Sequence, residues 1–163
     1  MRSETFEWAG PVIGSRVDTG VSGVAYLSGL GDGVFAPPPI GPLISAEILE
    51  VAQGRVQLLC SASESQFGLL RELDPGAANL LVNAAIACVG HSLTGPRQGW
   101  ATVESRTRYI RPVSPQPGAL TATAEVVMSL PLRTVVRGEL ADGRGQVLST
   151  VTATLHLFDF DGE

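Results

Sequence analysis

Two asparagines, Asn79 and Asn83, stand four residues apart inside the run DPGAANLLVNAAIACVGHS, residues 74–92, whose other positions are mostly apolar. Side chains at i and i+4 share one face of a helix, so two primary amides would sit there with donors and acceptors to satisfy. An amide carries no ionisable carboxylate and cannot act as a general base, but it can orient a water molecule. The nearest carboxylates in sequence are Asp74, Glu72 and Glu64. Asp74 is placed to cap a helix that starts at Pro75, where a missing N–H costs nothing. Capping stabilises a carboxylate in its charged form, which weakens it as a base. Arginines cluster at Arg106, Arg108 and Arg111 and again at Arg133 and Arg137, and guanidinium forks suit a phosphorylated ligand.

The elements that must position these residues are few. The helix body has no polar stripe at a 3.6-residue period, which is the pattern of a helix inside a core. It is too short, and too interrupted by amides, to span a membrane, which needs roughly 20 apolar residues. Before it, ISAEILEVA and RVQLLCSASE flank the Gln53-Gly54 turn signal and read as a strand hairpin. After the hairpin and the loop FGLLREL come the helix and then four strand-like runs: GWATVESRTRYI, GALTATAEVVMS, LRTVVRGELA and QVLSTVTATLHLF. Period-2 alternation is plain where Thr121, Thr123 and Glu125 interleave with Ala122, Ala124 and Val126. The connections PVSPQPG, SLP and DGRG carry the Pro and Asp-Gly signals of antiparallel turns.

Length and composition bound the rest. At 163 residues, 44% hydrophobic and 17% charged, the chain has the size and apolar content of one globular domain. Residues 1–40 are Gly- and Pro-rich, hold a candidate short helix in VSGVAYLSGL, and form an extension to a single domain over 41–160. The start MRSETFEWAG has early charges and no apolar core, so no secretion signal is expected and a cytoplasmic location is. Cys60 and Cys88 make neither a disulfide framework nor a metal site and read as small buried hydrophobes. A net charge of −5 argues against nucleic acid as a partner. All 11 basic residues are arginine, a bias of composition. His91 is expected past the helix end and His156 within the last strand, and neither has a Ser or Cys at triad spacing.

Two strands, one buried helix and four long antiparallel strands define an α+β protein, and a curved sheet of about six strands wrapped around the helix is the compact way to bury it. That is the hotdog architecture. The PPPIG lead-in, the hairpin, the DPG helix and the Tyr-Ile-Arg-Pro segment before a Gly-led strand resemble the phenylacetyl-CoA thioesterase branch of the hotdog superfamily over residues 20–158. The resemblance implies an acyl-CoA thioesterase that acts as a homodimer or dimer of dimers without metal or cofactor, its site shared between the helix start of one subunit and strands of its partner. In that branch the helix opens with His-Gly-Gly, whose first glycine N–H polarises the thioester carbonyl. Nine residues after the histidine comes the catalytic acid, an Asn stands in the preceding loop, and a Ser or Thr on the next strand assists. Carried over, these positions fall on Asp74-Pro75-Gly76, on Asn83 within Leu81-Val82-Asn83-Ala84-Ala85, on Gln66 and on Thr102.

Two departures from that pattern change the chemistry. Asn83 lacks the carboxylate, and Pro75 lacks the N–H; removing one such donor typically costs about 10²- to 10³-fold in rate. Gly76 then supplies the donor, with Asn83, Gln66 or Thr102 positioning water and Asp74 or Glu72 as base. Arg111 and Arg108 are the first choices for the CoA phosphates, with Arg133 as a substitute. The alternative is a non-hydrolytic binder of acyl-CoA or another apolar acyl ligand. A hotdog hydratase would need an Asp/His or Glu/His pair near the helix, which the spacing does not supply.

Overall fold

The structure, a computed structural model, describes residues 3–8, 20–112 and 119–160. Most of the first 19 residues, and residues 113–118 of the PVSPQPG connection, lie outside the described residues. Six strands form one antiparallel sheet: β1 (Ala46–Ala52), β2 (Arg55–Cys60), β3 (Gln98–Tyr109), β4 (Leu120–Leu130), β5 (Arg133–Ala141) and β6 (Val147–Asp159), in spatial order β1-β2-β4-β5-β6-β3. Among the described residues three α-helices accompany them: α1 (Gly23–Gly31), α2 (Gly41–Ile44) and α3 (Pro75–Ser92). The curved sheet packs on α3, as the alternation of strands around one apolar helix predicts.

The inner face of the sheet is recognisable by its small residues. Ala122 and Ala124 of β4, Gly138 of β5 and Ala153 of β6 are buried under α3, and Ala78 and Ala85 answer them from the helix. Small residues on both sides let backbone approach backbone. At Gly138 the approach is close enough that a Cβ would lie 2.8 Å from Val82 Cγ1 and 3.2 Å from Ile86 Cγ1. Larger side chains, Val56, Leu58, Leu120, Val136, Leu140, Val151 and Leu155, close the core around this contact.

The two-residue turn between β1 and β2 uses Gly54 at φ +80°, a conformation that favours glycine, and the Gly54 N–H donates to Ser92 Oγ at 2.9 Å. The hairpin is thereby tied to the C-terminal end of α3.

Two features differ from the sequence expectation. α3 is not enclosed on every side: Ala78, Leu81, Val82, Ala85, Ile86 and Val89 are buried, whereas Leu80, Asn83, Ala84, Ala87 and Cys88 are only half-buried. One six-strand sheet covers part of a helix's circumference and no more. His91 lies inside the last turn of α3 rather than beyond it. Its ring sits 5.7 Å from Tyr26 of α1 and 5.4 Å, edge-on, from Trp100 of β3, so it is packed into an aromatic cluster that seats α1. Burial pushes the Cys60 thiol up to about 11; burial first, and then the neighbouring Cys60, push Cys88 up to about 12. Both stay protonated near neutral pH and are poor nucleophiles.

The close approach at Gly138 is testable. Gly138→Val should lower unfolding free energy by about 1–3 kcal/mol, the usual cost of overpacking, seen as a lower urea midpoint at unchanged slope. An unchanged midpoint would mean that helix and sheet have slack here.

Candidate active site

Site geometry begins at the N-terminus of α3. Asp74 caps the helix: its Oδ1 accepts the Gly76 N–H at 2.7 Å, and its backbone carbonyl accepts the Ala78 N–H at 2.9 Å. Pro75 at the first helical position fits because no donor is needed there. The N–H expected to polarise a ligand carbonyl is therefore held by the cap in this state.

The loop before the helix is folded back upon it. Gln66 closes a short 3-10 turn at Glu64–Gln66: its Oε1 accepts the Ser63 N–H at 3.0 Å and its Nε2 donates to the Leu43 carbonyl at 3.0 Å. Its amide is thus committed to the loop, while its backbone carbonyl accepts the Asp74 N–H at 2.9 Å. A Phe67–Leu73 bridge and a Gly68 N–H to Glu72 carbonyl bond of 2.8 Å complete the return. Glu72 is delivered half-buried beside the helix start.

β3 runs antiparallel to α3, and its alternation decides which residues meet the helix. The residues on the inner face form two bonds to the first turns of α3: Tyr109 Oη donates to the Pro75 carbonyl at 3.0 Å, and Thr107 Oγ1 donates to Asn79 Oδ1 at 2.6 Å. Trp100, at the other end of the strand, packs under Gly90. Thr102 pairs with Leu155 just before the bulge at Val103 and lies toward that far end. Arg108 alternates onto the opposite face, where it lines a groove of about 430 Å³ with Glu104, Arg106 and the threonines Thr150, Thr152 and Thr154.

Asn83 sits one turn beyond Asn79. Its Nδ2 donates to the Asn79 backbone carbonyl at 2.8 Å, which leaves Oδ1 as the atom it can offer. Among the described residues Oδ1 makes no hydrogen bond, so it is an acceptor, suited to hold a water by one of its protons. It lies eight residues from Pro75, about 12 Å along the axis.

Of the expected site residues, Glu72 and Arg111 are brought together at the start of α3, where Asp74 and Gly76 form the cap. A cavity of about 280 Å³ opens there, walled by Pro75, Ala78, Ile110 and Leu148 with Glu72, Tyr109 and Arg111 at its polar margin. The Arg111 guanidinium is positioned by Gln146, whose Oε1 accepts from Nη1 at 2.9 Å. Asp74, Gly76, Asn83, Gln66 and Thr102 do not line this cavity, nor does Arg133, which opens β5 beside His156 at the distant end of the sheet. Tyr109, which opens the Tyr-Ile-Arg-Pro segment, Thr107 and Gln146 are not among the site residues expected from sequence. The period-2 pattern of β3 could have flagged the first two, since 107 and 109 share a face; the pairing of Gln146 with Arg111 is long-range and left no trace.

Comparison with known proteins reinforces the architecture. No protein-family model matches the chain, and no curated protein does. Solved structures do. A thioesterase family protein from Silicibacter pomeroyi is 22% identical, with 82% of this chain covering 98% of that one at a TM-score of 0.71. The phenylacetic acid degradation-related protein of Ralstonia eutropha JMP134 is 19% identical, with 80% covering 98% at 0.74. A Streptococcus mutans protein solved with acetyl CoA bound is 15% identical, with 70% covering 89% at 0.63. The chain has the hotdog fold. Among the described residues no three His, Cys, Asp or Glu side chains gather to hold a metal ion, and no helix is long and apolar enough to cross a membrane.

Loss of the cap should be measurable without any ligand. Asp74→Ala should cost about 1 kcal/mol of stability, and Thr107→Val a similar amount by stripping Asn79 Oδ1 of its donor. If neither variant shifted the denaturation midpoint, these bonds would contribute nothing to the helix start.

Proposed function

We propose that the protein is an acyl-CoA thioesterase-like hotdog protein of the cytoplasm that hydrolyses an acyl-CoA to the free acid and CoA, working as a homodimer or dimer of dimers. The observation that carries this reading is the cavity at the start of α3. It joins an apolar wall, a helix N-terminus, a carboxylate and an arginine in a fold shared with thioesterases and with a protein that holds acetyl CoA. Arg111, steadied by Gln146, meets a CoA phosphate; Arg108 and Arg133, on the outer face and at the far end, would serve only across a subunit boundary.

In the reaction the oxygen of water adds to the thioester carbon, the C–S bond breaks, and the proton lost by water ends on the CoA thiol. The Gly76 N–H, released by Asp74, supports the carbonyl oxygen with help from the helix dipole. Glu72 takes the proton, being free of the cap that holds Asp74. Asn83 Oδ1 holds the attacking water. Because Asn83 is about two helical turns from Gly76, the two act on one thioester only if they come from different subunits facing each other. The open edge of β3 and the half-buried face of α3 are surfaces that a second copy would cover.

A second reading is favoured by the Asp74–Gly76 bond and by the amide at position 83: a binder of acyl-CoA that does not turn it over. Thiol release from a panel of acyl-CoA substrates separates the two. Hydrolysis that falls more than tenfold in Asn83→Ala supports the enzyme, whereas saturable binding with no thiol release supports the binder. Arg111→Ala should raise KM or Kd by roughly 10- to 100-fold, the worth of a hydrogen bond between charged groups. An unchanged value would remove the phosphate contact from this arginine.

A further inference from the structure

The donors at the start of α3 can be accounted for one by one, and the account leaves a gap. Pro75 has none, the Gly76 N–H is bound by Asp74 Oδ1, and the Ala78 N–H is bound by the Asp74 carbonyl, which leaves the Ala77 N–H as the one backbone donor of this first turn not engaged by Asp74. A carbonyl entering the cavity therefore meets a helix start with most of its backbone donors absent or engaged. Tyr109 stands at this place with an O–H already aimed at a carbonyl group, that of Pro75, at 3.0 Å. The Pro75 carbonyl receives the Asn79 N–H from the helix ladder in any case, so the tyrosine bond is a second one that can be exchanged without orphaning its acceptor. The ring lines the same cavity as Glu72 and Arg111 and is 52% exposed, so its hydroxyl is reachable by a ligand. Its position is held from behind by β3, which continues through Thr107 into the bond with Asn79.

The geometry points to Tyr109 as a catalytic residue that donates its phenolic O–H to the thioester carbonyl oxygen, in place of the N–H that Pro75 cannot supply. This assignment rests on the acyl-CoA reading above. Tyrosine side chains are competent donors to a developing oxyanion. As water adds to the carbonyl carbon, negative charge builds on that oxygen and the bond from Tyr109 strengthens. The hydroxyl keeps its proton throughout. Water's proton goes to Glu72 and then to the departing thiolate as the C–S bond breaks, so no oxidant or further reactant is required.

The test is Tyr109→Phe in the full chain, which keeps the ring and removes only the hydroxyl. With a hydrolysed acyl-CoA, kcat should fall about 10²-fold or more while KM stays within about threefold, the split expected of a group that acts mainly in the transition state. A kcat within threefold of the natural protein would overturn the assignment and leave the carbonyl to backbone N–H groups such as that of Ala77. A second measurement covers slow or absent turnover: the 13C shift of the ketone carbon in an acyl-CoA analogue whose sulfur is replaced by CH₂. A downfield shift on binding to the natural protein that is lost in Tyr109→Phe supports the donor role. Binding with the same shift in both proteins overturns it while leaving the acyl-CoA reading intact. Failure of the natural protein to bind either CoA or the analogue defeats that reading, and this assignment falls with it. Thermal melts of both proteins separate loss of the donor from loss of the fold.

Discussion

A helix with its side chains is about 10–12 Å across, and a single curved sheet can embrace only part of that cylinder. Most of this structure follows from that limit. The small residues Ala122, Ala124, Gly138 and Ala153 draw the sheet tightly against one side of α3, so Leu81, Val82, Ala85, Ile86 and Val89 leave water completely or nearly so. The opposite side stays half-covered, and that is where Asn83 lies. The polar side chains along the first turns of α3 are bonded: Asn79 to Thr107, Asn83 to the Asn79 carbonyl, and Tyr109 of β3 to the Pro75 carbonyl. The amides that look anomalous in an apolar run are thus at its wet margin.

The start of α3 illustrates how magnitudes decide which bond is kept. A side-chain cap is worth about 1 kcal/mol, whereas a donor to a fully developed oxyanion is worth roughly 3–4 kcal/mol. In the resting protein nothing competes with Asp74, and the Gly76 N–H stays with it. A neutral carbonyl would gain little more than the cap offers. Exchange becomes favourable only as charge develops on the ligand oxygen, so the same N–H can stabilise the free helix and still favour a transition state over a ground state. The tyrosine hydroxyl obeys the same logic, since it gives up one of two bonds on a satisfied carbonyl.

Much of this was legible in the chain. Asp74-Pro75-Gly76 announces a helix start because cap chemistry is local, and the Gln53-Gly54 turn and the Thr/Ala alternation of β4 are equally local. The helix and most strands follow from them within a residue or two, β2 being the exception because it ends at Cys60 and not at Glu64, and so does the wrapped architecture, because a nearly all-apolar helix has few other ways to be buried. The site was harder to read, for physical reasons. The resemblance puts Gln66 near the helix start, and its backbone is there, but its amide is spent on Ser63 and Leu43, partners that only the folded loop supplies. Arg108 and Arg111 look like one cluster, yet strand alternation sends Arg108 to the outer face while Arg111, past the strand end, turns into the cavity. His91 is expected past the helix end, and glycine at position 90 is a residue type that often ends a helix. Here it is a packing glycine beneath Trp100, and the helix continues through it.

Asn83 is more than a carboxylate with its charge removed. The group that faces the Asn79 carbonyl at 2.8 Å must be a donor, and the amide NH₂ is one. An ionised aspartate in the same rotamer would set oxygen against oxygen, so it would have to turn away from the helix or hold a proton. The amide therefore satisfies the helix with one end and presents an acceptor with the other, a division of labour that a carboxylate cannot reproduce at this spot. What it gives up is proton transfer, and any chemistry retained by the fold must find its base elsewhere. Glu72 is the carboxylate that the loop before the helix brings half-buried to the cavity.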